Sequence, residues 1–77
     1  MSTERHRIAV DIGGTFTDLV ILNEDSGRIQ TLKVTSTPRD PSEAVLVGVR
    51  RAHTEFGLDL ASVSQFMLFD ETNPSSV

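Results

Sequence analysis

The sequence predicts a small α/β unit, a three-stranded antiparallel meander followed by one amphipathic helix. Three observations carry that expectation. Apolar residues alternate over 7–12 and recur through 15–22 and 28–36. Turn-forming clusters, Gly13-Gly14 and Asn23 to Gly27, separate those runs. An Asp-Pro start followed by an apolar stripe of 3.6-residue period then occupies 40–56.

In chain order, Ile8, Val10 and Ile12 alternate with Arg7, Ala9 and Asp11, which predicts a half-buried strand ending with a carboxylate on its outward face. Gly13 and Gly14 allow a tight turn with positive φ. Thr15 to Leu22, rich in Thr, Phe, Val and Ile, resumes as the second strand of a hairpin. The polar cluster Asn23-Glu24-Asp25-Ser26-Gly27 turns the chain again, and Arg28 to Ser36 returns through Ile29, Leu32 and Val34. Thr37 to Pro41 breaks the sheet, with Asp40 as N-cap, Pro41 at the first helical position and Glu43 at the third. On a helical wheel Ala44, Val45, Gly48, Val49, Ala52 and Phe56 share one arc, opposite Arg50 and Thr54. Gly57 is placed as the left-handed C-terminal residue, so the helix spans about Pro41 to about Phe56. Beyond it, Leu58 to Gln65 has room for one further turn with Asp59 as cap. Phe66 to Phe69 is a short apolar run able to enter a sheet, and Asp70 to Val77 reads as a frayed polar terminus.

Seventy-seven residues, 38% of them hydrophobic, suffice for one small unit with a thin core. With no cysteine, disulfides, thiolate zinc sites and thiol nucleophiles are excluded. Seven basic against eleven acidic residues give a net charge of −4, which disfavours nucleic acid and anionic membranes as partners. Neither a secretory signal nor a membrane span is readable, so the expected compartment is the cytoplasm.

The stretch that carries chemistry is Asp11-Ile-Gly-Gly-Thr-Phe-Thr-Asp18. Paired glycines let several backbone N–H groups point at one anion, with Thr15 and Thr17, two apart on a strand and so expected on one side, adding hydroxyl donors. Asp11 repels phosphate unless a divalent cation or its water shell stands between them, which points to Mg²⁺ with a nucleotide polyphosphate such as ATP. Gly-Gly alone is better explained by a type I′ hairpin turn. The whole octet directly after a buried strand favours the phosphate cradle. It is neither a Walker loop, since no Gly-Lys-Ser/Thr follows, nor a dinucleotide fingerprint, since a strand stands where a helix is required.

Arg7-Ile-Ala-Val-Asp-Ile-Gly-Gly-Thr-Phe-Thr-Asp18 resembles the N-terminal signature of the hydantoinase A/5-oxoprolinase family, within the actin and sugar kinase superfold. The similarity continues through Lys33-Val-Thr-Ser-Thr-Pro38, Asp40-Pro41 and Gly48-Val-Arg-Arg-Ala52 to about Phe66. The resemblance implies a partial ribonuclease H-like, actin-like ATPase domain, part of an ATP-dependent opener of cyclic amides such as 5-oxoproline or hydantoins, or of a related carboxylase subunit. It implies that Asp11 organises Mg²⁺ through water, that Gly13, Gly14, Thr15 and Thr17 hold phosphate, and that Asp18 supports the hairpin or the substrate side.

After Phe66 the family continues with His-Gly-Thr-Thr, whereas this chain reads Met67-Leu-Phe-Asp-Glu-Thr-Asn-Pro-Ser-Ser-Val77. The expected division is therefore an incomplete family domain over 1–66 and a divergent polar tail over 67–77, as a truncation or shifted frame produces, without turnover and with weak or absent binding of ATP and Mg²⁺ when alone. A second class of function is a non-catalytic small subunit or interaction module pairing with itself or a partner through open sheet edges. A sugar kinase or acetate kinase relative sharing only the hairpin is a third. His6 and His53 lack a third ligand at metal spacing and read as surface or helix-flank residues. Arg50-Arg51 reads as a solvated helix face, Glu24-Asp25 as a solvated turn, Asp40 and Glu43 as capping residues, and Ser75-Ser76 as tail.

Overall fold

A computed structural model describes residues 4–37 and 39–70. The three alternating runs form β1 (His6–Ile12), β2 (Phe16–Asn23) and β3 (Ile29–Thr35), paired antiparallel as a meander. Register follows burial. Val10 stands opposite Leu19, Ile8 opposite Ile21, and Leu19 opposite Leu32, so every large aliphatic side chain of the three strands that is buried lies on one face. A slip of one residue would turn that whole set to solvent.

The helix α1 (Pro41–Phe56) covers this face. Its ends are those the sequence dictates. Asp40 accepts from the Ser42 amide, Pro41 needs no donor at the first position, and Gly57 closes the helix at φ 72°. Ala44, Gly48 and Ala52 are buried against the sheet, flanked by the partly buried Val45, Val49 and Phe56. The stripe of small residues brings helix and sheet close: a Cβ on Gly48 would lie 2.5 Å from Leu19 Cδ1.

Beyond α1, Asp59 caps a short 3-10 turn at Leu60–Ser62 by accepting from the Ala61 amide. The run at Phe66 to Phe69 does enter the sheet, within β4 (Val63–Asp70), which pairs parallel with β1 and completes the order β3-β2-β1-β4. The fold is thus the expected meander and helix, with a parallel fourth strand making a mixed sheet. β4 runs without interruption through the position at which the family-like segment and the tail were divided. The rest of the expected tail, 71–77 with Ser75-Ser76, lies outside the described residues, as does Pro38. β4 is an edge strand with much of its apolar surface open: Phe66, Leu68 and Phe69 are about half exposed. Among the described residues no helix is long and apolar enough to cross a membrane.

Candidate functional site

The β1–β2 turn sits at the end of the sheet where Ile12 pairs with Thr17. Its geometry corrects the expected role of the glycines: neither Gly13 nor Gly14 has positive φ, so a type I′ turn is ruled out. Gly13 is needed for closeness instead. Its N–H donates to the Phe16 carbonyl at 3.0 Å, and a Cβ there would lie 2.8 Å from that same oxygen. Gly14 faces open space, with nothing within 4 Å of the place its Cβ would take. Gly14 and Thr15 are exposed, and their amides donate to no group among the described residues. The free donors of the turn are therefore Gly14 and Thr15, while the amide of Gly13 is committed to closing it.

Thr15 and Thr17 do not project alike, contrary to their spacing. Thr15 belongs to the bend, outside the strand, whereas Thr17 is fully buried on the face covered by α1. The Thr17 hydroxyl lies 2.9 Å from Ser36 Oγ, and Ser36 Oγ donates to the Gly13 carbonyl at 2.7 Å. The Ser36 amide also donates to the Thr15 carbonyl at 2.9 Å. The segment after β3 thus clasps the turn from one side and fixes its backbone. Sequence reading missed Ser36 because its place depends on the pairing of β2 with β3, a relation between distant residues.

Across the sheet's other face runs a row set by register alone: Phe69 of β4, Asp11 of β1, Asp18 of β2 and Lys33 of β3. Asp11 and Asp18 are directly opposed, a like-charge arrangement that destabilises an antiparallel pair. Lys33 Nζ approaches Asp18 Oδ1 at 3.7 Å and lies 5.0 Å from the centre of the Phe16 ring. Asp11 Oδ1 is buried and has no hydrogen-bond partner. An orphaned carboxylate oxygen of this kind costs free energy unless a cation or water satisfies it. One or two carboxylates beside a polyphosphate are the donor set Mg²⁺ ordinarily takes, so the residues present fit that ion. Among the described residues no group of three or more acidic, histidine or cysteine side chains converges as a self-sufficient metal cage.

The remaining candidates fall where capping and packing put them. His6 Nδ1 shares a hydrogen bond with Ser62 Oγ at 2.9 Å, and His53 Nδ1 donates to the Leu58 carbonyl at 2.7 Å. Arg51 pairs with Glu55 at 2.7 Å, and Asp40 holds the helix start. Glu24 is no solvated turn residue. It accepts from Arg7 Nε and from Ser64 Oγ, each at 2.7 Å, tying β1, the second turn and β4 together. The Ser64 hydrogen bond, opposed by partial burial and reinforced by Arg7, holds its carboxyl below the usual glutamate range.

Comparison with known proteins places the chain. Residues 7–68 match the model of the hydantoinase/oxoprolinase N-terminal region. The caprolactamase alpha subunit of Pseudomonas jessenii is 36% identical over 63 residues, which is 82% of this chain and 9% of that protein. The uncharacterized protein MJ0964 of Methanocaldococcus jannaschii is 41% identical over 51 residues, 66% of this chain and 8% of that protein. The chain therefore spans less than a tenth of the length of these relatives.

Proposed function

Because the chain belongs to the hydantoinase/oxoprolinase family through its N-terminal region, we propose that its glycine turn and Asp11 form one part of the ATP site of a cyclic-amide hydrolase. The single observation that carries this reading is the buried, unpartnered Oδ1 of Asp11 beside a turn with free amides. The caprolactamase relative supports a lactam as the substrate class. A cytoplasmic setting, where ATP is available, goes with this reading.

When bound, Mg²⁺ and ATP supply an activated phosphoryl group for the amide carbonyl oxygen. This chain's residues position it. The Gly14 and Thr15 amides, with the Thr15 hydroxyl, would orient phosphate oxygens, and Asp11 would accept hydrogen bonds from the water shell of the ion. Thr17 acts through Ser36, holding the Gly13 carbonyl and so the curvature of the turn. Charge-assisted hydrogen bonds of this kind contribute about 1.5–3 kcal/mol each, enough for two or three to dominate binding. Catalysis by such a site is positioning and charge neutralisation, and no general base is assigned to these residues.

The test is a titration of the chain with Mg²⁺ and ATP, read at the backbone amides of residues 13–17. Mg²⁺-dependent shifts at Gly14 and Thr15 are expected, and Asp11→Asn should remove the Mg²⁺ dependence. Amides that stay still at saturating Mg·ATP would refute the site. The chain alone is expected to show no turnover, and ATP hydrolysis stimulated by 5-oxoproline, hydantoin or caprolactam would overturn that.

One observation favours a second reading, a pairing module. β4 is an open edge whose Phe66, Leu68 and Phe69 are about half exposed, a surface that invites another strand. Sedimentation decides it: a monomer across the accessible concentration range excludes self-pairing.

A further inference from the structure

We propose that Lys33 is a phosphate-contacting cation of the glycine-turn site, supplied from β3 and held in reserve by Asp18 until the anion arrives. The inference rests on the ATP reading above and deepens it. A Walker loop carries its lysine within the turn itself; here the turn contributes only neutral donors, and two carboxylates flank it on the open face. A polyphosphate approaching Asp11 and Asp18 meets repulsion that one divalent ion offsets only in part.

Lys33, the chain's single lysine, is the positive charge that register sets in this row. Its placement is that of a side chain between two attractions. The contact with Asp18 is long, 3.7 Å, and both side chains are about half exposed or more, so the pair is weak. The ammonium also sits 5.0 Å from the centre of the Phe16 ring, and Phe16 directly follows Thr15 of the turn. The aromatic face thus draws the cation toward the end of the sheet where the free amides lie. Exchange of a weak carboxylate contact for a phosphate oxygen then requires only rotation of a flexible, exposed stem. Arg7, the cation of β1, is unsuited to this role because Glu24 holds it at 2.7 Å. Arg39 stands with Asp40 and Glu43 around an open concavity at the start of α1, where the capping side chains already take helix amides.

The test compares Lys33→Met, Lys33→Arg, Asp18→Asn and the charge control Arg28→Met, which removes a cation from the far turn of the β2–β3 hairpin. Binding of Mg·ATP and Mg·AMP is read at the Gly14 amide, with amide dispersion confirming that each variant is folded. Loss of one charge-assisted hydrogen bond predicts that Lys33→Met weakens Mg·ATP about tenfold. Mg·AMP should change less than twofold. Lys33→Arg should recover most of the loss, and Asp18→Asn should tighten Mg·ATP by releasing the cation. Dimethylation of Lys33 gives a single side-chain resonance that should move with the same midpoint as the Gly14 amide.

A Lys33→Met chain that binds Mg·ATP within twofold of the parent overturns the inference while leaving the glycine-turn reading intact. An equal loss in Arg28→Met also overturns it, because general electrostatics would then suffice. If Mg·ATP leaves the parent's Gly14 amide unmoved, the ATP reading fails and the role of Lys33 falls with it.

Discussion

The hydroxyl of Thr17 lies 2.9 Å from Ser36 Oγ, joining a fully buried position on β2 to the segment that leaves β3. Ser36 in turn donates to the Gly13 carbonyl. The glycine turn is therefore braced by a hydroxyl chain rather than by backbone handedness. Thr17→Val keeps the volume of the side chain and removes the donor and acceptor. A loss of about 1 kcal/mol in unfolding free energy is expected, together with faster amide exchange at Gly13 to Phe16. Unchanged urea unfolding and unchanged exchange would show that Ser36 alone suffices.

Gly13 and Gly14 carry different expectations, one for stability and one for the proposed phosphate site. Gly13→Ala drives a Cβ to 2.8 Å from the Phe16 carbonyl oxygen, a backbone atom that cannot turn aside. A destabilisation of about 1–3 kcal/mol is expected, the usual cost of forcing an atom into filled space. Gly14→Ala meets nothing and needs no positive φ, so thermal unfolding should hardly change. In the proposed site its methyl group would stand in the path of the phosphate, and Mg·ATP affinity is expected to fall. A Gly14→Ala chain that binds Mg·ATP as the parent does would move the anion away from this residue.

Gly48→Ala opposes two effects of known size. Helix propensity gains about 1 kcal/mol. Against it, the new Cβ would lie 2.5 Å from Leu19 Cδ1 and 2.8 Å from Cδ2, and Leu19 is fully buried and cannot swing to solvent. Overpacking of about 1–3 kcal/mol wins, so the variant should unfold at lower denaturant. Adding Leu19→Val should recover part of the loss. A more stable Gly48→Ala chain would show that helix and sheet separate readily.

Asp11→Asn relieves the opposition of Asp11 and Asp18. Cross-strand like charges cost up to about 1 kcal/mol, so thermal stability without ligand should rise slightly while Mg²⁺ dependence of ATP binding is lost. That combination identifies a residue strained for function. A fall in stability would instead assign Asp11 a structural duty.

Glu24 gives the pH dependence. Its carboxyl titrates below the usual glutamate range in the folded chain, so its contribution is complete above the unfolded value, about 4.3, and is lost as pH falls through the lower folded value. Thermal unfolding followed from pH 7 to pH 2 should show an acid-side decline that Glu24→Gln makes shallower. Identical acid limbs in the two chains would exclude Glu24 as the source.

Much of the architecture was legible because its causes are local. Alternation set β1, runs of β-prone and apolar residues between turn clusters set β2 and β3, Asp40 and Pro41 set the helix start, and Gly57 its end. The octet 11–18 was legible as a turn between two strands, since paired glycines there interrupt two apolar runs. Its inner workings were another matter. The type of turn follows from how closely Gly13 approaches Phe16, and the burial of Thr17 from which face α1 covers.

What the sequence determined by itself was the period of each segment and the caps that bound it, because these depend on neighbours within about four residues along the chain. Only the tertiary structure decided that 63–70 pairs parallel to β1, that Ser36 clasps the turn, and that Asp11, Asp18 and Lys33 form one row. Those relations join residues 7 to 58 positions apart. They are fixed by which faces must be buried together, a property of the folded whole.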